Sequence, residues 1–474
     1  MHEVLRAEKL SKRNGDVMLI DRMHLYLMRG EILGVIGLYD SGRSALAKVL
    51  SGIWSTSSGE IYVEEKRVEI REIRQAHQCG IFCVRNKTTL IPDLTVIENM
   101  CLLNTDISNK VCFPDKHVVE KAEMLLEIMD IHVDIKARCG ELSLFDLHRI
   151  EICRAFFCCA KVLIIDDISS RYTQSEQGHM EDLLYWIKQH GVAIILMGSR
   201  AEQLVPVCDR IVMMRNGRDV GMYFKGEFSV QLIERALTGE ESAGGALCTV
   251  RTGTEPVFVA ERIASRNVKD FSLTIYPGEV AGIVDVQDRI ADDIAKLFSG
   301  DESPISGTIT INGECYKDVK SVQWAFRNCI GYLAPYQKSI FPQLTFLENL
   351  TIASLDNYSK GFHISKRLES FAAAEYLKKF DVSKEILGER MSSQNRLIQM
   401  KAALHRWMLK DVKVLVMNDV FDQTDIVMRN CIDEFIRFAQ QKGMGIILLS
   451  ANNADFRRVC TTIYEFRDGR IFTR

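Results

Sequence analysis

The feature that most constrains this sequence is an internal repeat, in which short blocks recur in the same order about 250 residues apart. The block MRGEILGVIG begins at Met28 and YPGEVAGIVD at Tyr276, and IPDLTVIEN at Ile91 is matched by FPQLTFLEN at Phe341. KVLIIDD is matched later by KVLVMND, and RNGR by RDGR. Self-similarity of this kind is typical of a duplicated structural unit. The chain of 474 residues is therefore predicted to contain two copies of one fold.

The repeat also predicts the domain boundaries. The first copy is expected to span residues 1–238 and the second residues 254–474. Residues 239–253 between them, GEESAGGALCTVRTG, are rich in small and turn-forming residues and are predicted to be a linker.

Each copy mixes strands and helices. In the first copy, residues 4–35 alternate like strands, a helix is predicted from Arg43 to about Leu50, and a helical region is expected over about 97–160. The apolar segments KVLIID and VAIILM are separated by the helical pattern EDLLYWIKQH. Short apolar strands alternating with helices predict an α/β fold, with a parallel sheet covered by helices.

Composition narrows the function classes. Hydrophobic residues make up 47% of the chain and the net charge is only -3, which excludes a disordered chain and offers no basic excess for nucleic acid. The apolar runs are short, and none approaches the ~20 residues needed to cross a bilayer. Any work at a membrane is therefore expected to go through a partner.

A glycine-containing loop follows the first apolar strand and precedes the helix at Arg43. Its spacing is that of a phosphate loop with Arg in place of Lys, in which backbone N–H groups face phosphate oxygens. Asp166 and Asp167 end the strand KVLIID, where an acid is aimed at the Mg²⁺ of such a loop. A simple strand-to-helix turn and an acid that merely ends a strand are the competing interpretations. The predicted loop residues are Gly37, Leu38, Tyr39, Asp40, Ser41, Gly42, Arg43 and Ser44, with Ser44 and Asp166 as the metal ligands.

With these blocks, the chain resembles over nearly its full length the ATP-binding subunits of carbohydrate ABC importers of the ribose/galactose type. The resemblance rests on GLYDSGRSALAKVLSG, SGEIYVEEK, IPDLTVIEN, ELSLFDLHRIEICRA, KVLIIDD and CDRIVMMRNGR, with PISGTITINGE, FPQLTFLENL and KVLVMND in the second copy. It implies two tandem P-loop NTPase cassettes of the ABC ATPase class, each with an antiparallel β subdomain and a helical signature subdomain.

The same resemblance implies cofactors, partners and location. ATP and Mg²⁺ would bind, and the two cassettes would pair pseudo-symmetrically, so that the first phosphate loop meets the second signature at Ser392. Transmembrane permease subunits and an extracytoplasmic sugar-binding protein would complete the system, with no nucleic acid. The chain would be cytoplasmic, held peripherally on the inner face of the membrane through the permease.

Several residues that would hold the nucleotide depart from the family pattern in the first copy. Asp40 stands where the family has Gly, and Arg43 replaces Lys. Asn14 takes the place of the aromatic residue that stacks on adenine.

The residues that would drive hydrolysis depart from it as well. Asp167 stands where the family has its catalytic Glu, which is one methylene longer. Asn86 replaces the Gln that links the metal to the permease contact, and Ser199 replaces the switch His that contacts the γ-phosphate.

The second copy departs further. After Gly282 no loop glycine remains, and Ala291 takes the basic position. Asn418 replaces the metal-binding acid and Ala451 the switch residue. We expect no triphosphate to bind there. The acids that crowd this region are Asp285, Asp288, Asp292 and Asp293.

Both signature segments lack the paired glycines of the family. They read Leu142-Ser143-Leu144-Phe145-Asp146 and Met391-Ser392-Ser393-Gln394-Asn395. In each, the first Ser is predicted to cap the helix that follows and, by resemblance, to meet γ-phosphate. The competing interpretation is a capping Ser with no other role.

The leading hypothesis is therefore the nucleotide-binding subunit of a carbohydrate importer, with one eroded ATP site and weak or absent hydrolysis. A permease is expected to dock beside Asn86 along residues 90–99, and along 340–349 in the second copy. Simple packing of the helical subdomain is the competing explanation of those segments. Two other hypotheses stay open for the chain: a non-catalytic regulator or scaffold for a permease or sensor, and a soluble twin-cassette protein without a permease.

Overall fold

The computed structural model describes most of the chain and divides it into two compact units, Met1–Ser242 and Ala243–Arg474. The predicted linker 239–253 falls almost entirely on residues 240–252, which lie outside the described residues, so its limits stay a prediction. The described ranges are 2–103, 116–168, 172–239, 253–266, 268–285, 293–294, 296–297, 302–316, 330–360, 363–377, 384–450, 455–467 and 470–473.

The first unit contains two sheets. A small antiparallel sheet has the strand order β2-β1-β4-β5, and a larger sheet has the order β10-β9-β3-β8-β7-β6. In the larger sheet β3, β6, β7, β8 and β9 run parallel, and β10 is antiparallel to β9. The strands are β1 Glu3–Asn14, β2 Val17–Met28, β3 Ile32–Ile36, β4 Ser58–Val63, β5 Lys66–Val68, β6 Ile81–Arg85, β7 Val162–Asp166, β8 Ala193–Gly198, β9 Arg210–Arg215 and β10 Arg218–Phe224.

The helices of the first unit cover the larger sheet and build a helical subdomain between β6 and β7. The helix predicted from Arg43 to about Leu50 is confirmed, and the helix predicted from EDLLYWIKQH is longer at its start. Residues 104–115 of the predicted helical region lie outside the described residues. The helices are α1 Arg43–Leu50, α2 Ile73–Gln78, α3 Val96–Cys101, α4 Lys116–Ile128, α5 Leu144–Phe157, α6 Gln174–Gln189, α7 Ala201–Leu204 and α8 Val230–Thr238.

The second unit repeats this arrangement. Its antiparallel sheet has the order β12-β11-β14-β15, and its larger sheet β16-β19-β20-β13-β21-β22 has the order of the larger sheet in the first unit, read from the opposite edge. The strands are β11 Phe258–Ala264, β12 Phe271–Ile275, β13 Val280–Asp285, β14 Ser306–Ile311, β15 Glu314–Tyr316, β16 Ile330–Leu333, β17 Ser359–Lys360, β18 His363–Ile364, β19 Val414–Asn418, β20 Gly445–Ser450, β21 Thr462–Arg467 and β22 Arg470–Thr473. The described helices are α9 Tyr336–Ser339, α10 Phe346–Thr351, α11 Lys366–Leu377, α12 Arg396–Lys410, α13 Ile426–Gln441 and α14 Phe456–Val459.

Burial explains why these segments form a parallel sheet. All five residues of β3 and all five of β7 are buried, as expected for central strands that are covered on both faces. In the first unit, one hydrophobic cluster joins Leu5 of the small sheet, Leu46 of α1 and Ile164 of β7. The strand ends that carry the predicted site are therefore fixed by a continuous core. Within the described ranges, the helices are too short or too polar to span a bilayer.

Candidate nucleotide site

The predicted phosphate loop connects β3 to α1 and is packed so closely that two positions require glycine. A Cβ added to Gly37 would lie 2.5 Å from the backbone oxygen of Met214, and one added to Gly42 would lie 2.3 Å from that of Leu19. Gly42 also has a φ of 98°, which L side chains rarely adopt. Packing against neighbouring backbone therefore fixes glycine at both positions, at the two ends of a loop that leads into the N-terminus of α1.

Asp40 occupies the loop position at which the resembling family has Gly. Its φ is 62°, in the left-handed region, and its side chain is exposed. Asp tolerates this region better than most residues because its short side chain can bond locally, but the conformation still costs about 1 kcal/mol relative to Gly. The backbone has kept the shape of the glycine loop although the side chain has changed.

Arg43, the first residue of α1, brings unpartnered hydrogen-bond donors into the loop. Its side chain is only 5% exposed, and its Nη2 lies 4.0 Å from Asp167 Oδ2. Its Nε and Nη1 have no hydrogen-bond partner among the described residues, and neither has the buried Ser41 Oγ. Buried donors left in this way are costly, and phosphate oxygens are strong acceptors for a guanidinium. These residues fit a triphosphate.

Ser44 and Asp166 provide the predicted metal ligands. Ser44 Oγ donates a hydrogen bond of 3.4 Å to Asp166 Oδ1, where β7 ends. Burial raises the pKa of Asp166; the neighbouring Asp167 raises it further, while Arg43 and Ser44 oppose the shift. A hydroxyl and a carboxylate are oxygen ligands that suit Mg²⁺ alongside phosphate and water. Among the described residues, no group of three or more His, Cys, Asp or Glu side chains could hold a metal by itself.

Asp167, the predicted catalytic carboxylate, sits in a tight turn. Its φ is 56° and its backbone N–H donates to Met197 O at 3.0 Å. Asp419 in the second unit has a φ of 46° and donates to Leu449 O at 2.9 Å. The turn is thus the same in both units. In the first unit the Asp167 carboxylate faces Arg43.

The other two predicted residues of the first unit lie at the same edge of the sheet. Asn86 directly follows β6 and is half-buried, and Ser199 directly follows β8 and is buried. Because β3, β8, β7 and β6 are parallel neighbours, their carboxyl ends meet at one edge. The structure therefore brings Asn86, Ser199 and the Asp166–Asp167 pair to the edge that carries the loop 37–44.

The two signature segments differ in a way that corrects one prediction. Ser143 caps α5 as predicted, since its Oγ accepts from Asp146 N at 3.1 Å. In the second unit the cap of α12 is Asn395, whose Oδ1 accepts from Ile398 N at 3.0 Å. The prediction that Ser392 caps this helix is wrong.

Backbone hydrogen bonds explain the correction. Ser392 lies in a 3₁₀ turn, Met391–Ser393, and its N–H donates to Pro342 O, as Gly140 N–H donates to Pro92 O in the first unit. Ser392 is therefore the counterpart of Gly140, and Asn395 is the counterpart of Ser143. Because Ser392 and Ser393 resemble the serine of a signature segment, the cap was predicted three residues before its true position at Asn395.

Where it is described, the second unit differs from the first at the predicted metal-binding position. Asn418 ends β19 where Asp166 ends β7, and its amide donates to Tyr332 Oη at 3.5 Å. A neutral amide cannot supply the anionic ligand that a carboxylate provides to Mg²⁺. Asp288, Ala291, Asp292 and Ala451 lie outside the described residues, as does the side chain of Asp285, so their predicted effects stay predictions.

One set of site contacts was not predicted from the sequence. From α5, His148 reaches the backbone oxygen of Asn86 and the hydroxyl of Tyr172, while Glu151 and Arg154 bond Thr89. The spacing 148, 151, 154 puts all three on one helix face, which is the only sequence signal that could have indicated them. That pattern is also typical of ordinary buried helix positions.

The sequence of this chain is similar to those of known ABC transporter ATP-binding proteins. The model of the ABC transporter family matches residues 20–170. The ribose import ATP-binding protein RbsA of Clostridium tetani is 24% identical, with 98% of this chain and 93% of the relative covered. RbsA 1 of Rubrobacter xylanophilus is 26% identical, with 99% and 95% covered.

Solved structures also match along the whole chain. The structure described as RNase-L inhibitor aligns with a TM-score of 0.63 at 15% identity, covering 98% of this chain and 90% of its own. The model of ribosome-bound archaeal Pelota and ABCE1 aligns with a TM-score of 0.65 at 15% identity, covering 98% and 77%. At this identity the similarity concerns the fold alone.

Proposed function

We propose that this chain, a tandem pair of P-loop cassettes of the ABC ATPase fold, is the cytoplasmic nucleotide-binding subunit of a carbohydrate-type ABC importer. It resembles ribose-import ATP-binding proteins along its whole length. One ATP site would operate, on the first cassette, with weak or absent hydrolysis. The observation that carries the proposal is Arg43, whose buried unpartnered donors lie in a glycine loop beside Ser44 and Asp166.

Each residue of this site has a defined task in binding. The guanidinium of Arg43 and the backbone N–H groups of the loop would hold phosphate oxygens. Ser44 and Asp166 would hold Mg²⁺, which neutralises charge on the phosphates when bound. Asp167 would orient the attacking water. The ribose-import relatives are named for ATP binding, which agrees with these tasks.

Two features support a low rate of hydrolysis. Asp167 is one methylene shorter than Glu and faces the Arg43 guanidinium at 4.0 Å. Ser199 is buried and cannot carry a positive charge to the γ-phosphate. Positioned charges and donors supply most of the rate in phosphoryl transfer, so their loss lowers turnover more than binding.

The proposed permease contact uses the two repeated segments 90–99 and 340–349. In each, a fully buried Asn bonds the backbone: Asn99 Oδ1 accepts from Ile91 N at 2.8 Å, and Asn349 Oδ1 accepts from Phe341 N at 2.9 Å. A capping box fixes the helix that follows, at Thr95 in the first unit. The residue whose backbone N–H makes this bond carries a partly exposed apolar side chain in both units, Ile91 at 44% exposure and Phe341 at 45%.

Large apolar side chains that are exposed on a fixed backbone are suited to anchor a protein interface. We therefore assign Ile91 and Phe341 to permease subunits, which would hold the chain at the inner face of the membrane. An extracytoplasmic sugar-binding protein would belong to the same system. Specificity for the sugar would lie in those partners.

A photo-cross-linking amino acid placed at Ile91 or Phe341 of the full chain is expected to cross-link to an integral membrane protein in native membranes. Changing both residues to Asp should weaken that association by roughly 10–100-fold, because full burial of a side chain of this size contributes about 1.5–3 kcal/mol and both side chains are already about half buried. The matched control is Ile305, an apolar residue at 77% exposure outside both segments. Cross-links from position 305 but not from 91 or 341 would refute the assignment.

A second candidate, a regulator or scaffold without turnover, is favoured by two observations. Asn418 takes the place of the metal-binding acid in the second unit, and Ser199 leaves the first without a charged switch residue. Both candidates share the permease contact. Measured turnover separates them.

A further inference from the structure

We infer that His148 is a positioning residue that ties the Asn86 loop to the segment after Asp167, across the signature helix α5. The inference rests on the proposed nucleotide site, because Asn86 is one of its residues. The sequence alone assigned no role to this side chain.

The two side-chain contacts of His148 fit a neutral imidazole. The ring is fully buried, with Nε2 3.1 Å from Asn86 O and Nδ1 2.6 Å from Tyr172 Oη. A backbone oxygen only accepts, so Nε2 must carry the proton and donate it. Nδ1 is then the acceptor for the Tyr172 hydroxyl. One neutral imidazole satisfies both contacts, and burial lowers the pKa of His148, which favours the neutral form.

Further contacts from the same helix face hold the loop at its other end. Glu151, also buried, accepts from Thr89 N at 2.7 Å and from Thr89 Oγ1. Arg154 donates to Thr89 Oγ1 at 2.8 Å. The segment from Asn86 to Thr89 is thus bonded to α5 at both ends. Of these three side chains, His148 also bonds a further segment, at Tyr172.

That third segment begins at Tyr172, which is 2% exposed and packs edge-on against Phe145 at 5.2 Å. It stands five positions after Asp167 in the chain, between β7 and α6. Asn86 follows one strand of the site and Asp166–Asp167 end the next. The imidazole therefore joins the residue that follows β6 to a residue five positions beyond Asp167.

The second unit offers a comparison within the same chain. At the repeat offset of 252, His148 corresponds to Met400 and Tyr172 to Thr424. Both are fully buried, and Thr424 Oγ1 donates to Phe421 O at 2.7 Å. Met cannot donate a hydrogen bond. The second unit thus lacks the two side chains that form this link in the first. Its Met400 is also a buried residue of suitable size to replace His148 in a test.

The test is amide hydrogen exchange on the full chain, without nucleotide and then with Mg-ATP. His148→Met should speed exchange over residues 86–90 by about 5–10-fold, the loss expected for one hydrogen bond of about 1 kcal/mol. Tyr172→Phe should give a smaller change in the same segment. His148→Gln should restore much of the protection, since its amide can donate to Asn86 O and accept from Tyr172.

His405→Met, which changes a buried histidine of the second unit, is the matched control and should leave residues 86–90 unchanged. Faster exchange spread evenly over the whole first unit, or no change at all, would overturn the inference. Loss of ATP affinity in His148→Met, regained in His148→Gln, would support the link as part of the site. If the parent binds no ATP while residues 86–90 still loosen, the link stands and the proposed function fails.

Discussion

Restoring three family residues in the first cassette, with Asp167→Glu, Ser199→His and Asp40→Gly, is expected to raise ATP hydrolysis at least about tenfold. A single preorganised donor is typically worth on the order of 10²–10³ in rate, but effects of residues that act together do not add. Tenfold is therefore the lower bound of the expected gain. Phosphate release at saturating Mg-ATP is the measurement.

Each of the three changes has its own physical reason. Asp167→Glu would extend the carboxylate by one methylene from a turn that is already the same in both units. Ser199→His adds a ring that can donate to the γ-phosphate and carry charge, which serine cannot. Asp40→Gly relieves a φ of 62° and removes a carboxylate that, ~5 Å from a phosphate charge, costs about 3 kcal/mol at an effective dielectric of ~20.

The control for the restored variant is the same triple change with Asp166→Asn added. It should lose the gain, because the metal ligand at the end of β7 is removed. If the triple variant binds ATP as tightly as the parent and still hydrolyses it no faster, the loss of turnover does not lie in these three residues.

Arg43→Ala is expected to weaken ATP binding by roughly 10–100-fold, as measured by isothermal titration with Mg-ATP. One hydrogen bond to a charged group contributes about 1.5–3 kcal/mol, which corresponds to this range. Arg43 offers two buried donors with no other partner among the described residues, so the range is a lower bound. Arg67→Ala is the matched control in the same unit, because Arg67 is exposed and its guanidinium pairs with Glu60 at 3.1 Å.

In the second cassette, Asp292→Ala should leave binding unchanged, because no site is expected there. If Asp292→Ala removed binding while Arg43→Ala did not, the site would lie on the other cassette. The two substitutions therefore locate the nucleotide independently of any rate measurement.

The fold could be predicted largely from the sequence, because the patterns that indicate its strands and helices lie in short segments and occur twice in the chain. The offset of about 250 residues predicted two units, and the two larger sheets indeed share one strand order. The apolar strand before Gly37, the helix at Arg43 and the acid pair at Asp166 each carry their own signal. Parallel strands then bring their carboxyl ends together without further information.

The rest could not be predicted because it depends on contacts between distant segments. His148 reaches Asn86, 62 positions away, and nothing in the sequence distinguishes it from a histidine that only fills the core. The cap at Asn395 was missed for a different reason, since adjacent serines at 392 and 393 imitate the signature. Only the backbone bond from Ser392 to Pro342 shows which turn they occupy.

The most direct test of the proposed function is phosphate release by the unmodified full-length chain at saturating Mg-ATP, beside its Asp166→Asn variant. Binding is established on the same samples by titration. We predict that one ATP binds per chain and that phosphate is released at a rate close to that of Asp166→Asn. Rapid release that Asp166→Asn abolishes would contradict the account and identify a working importer motor.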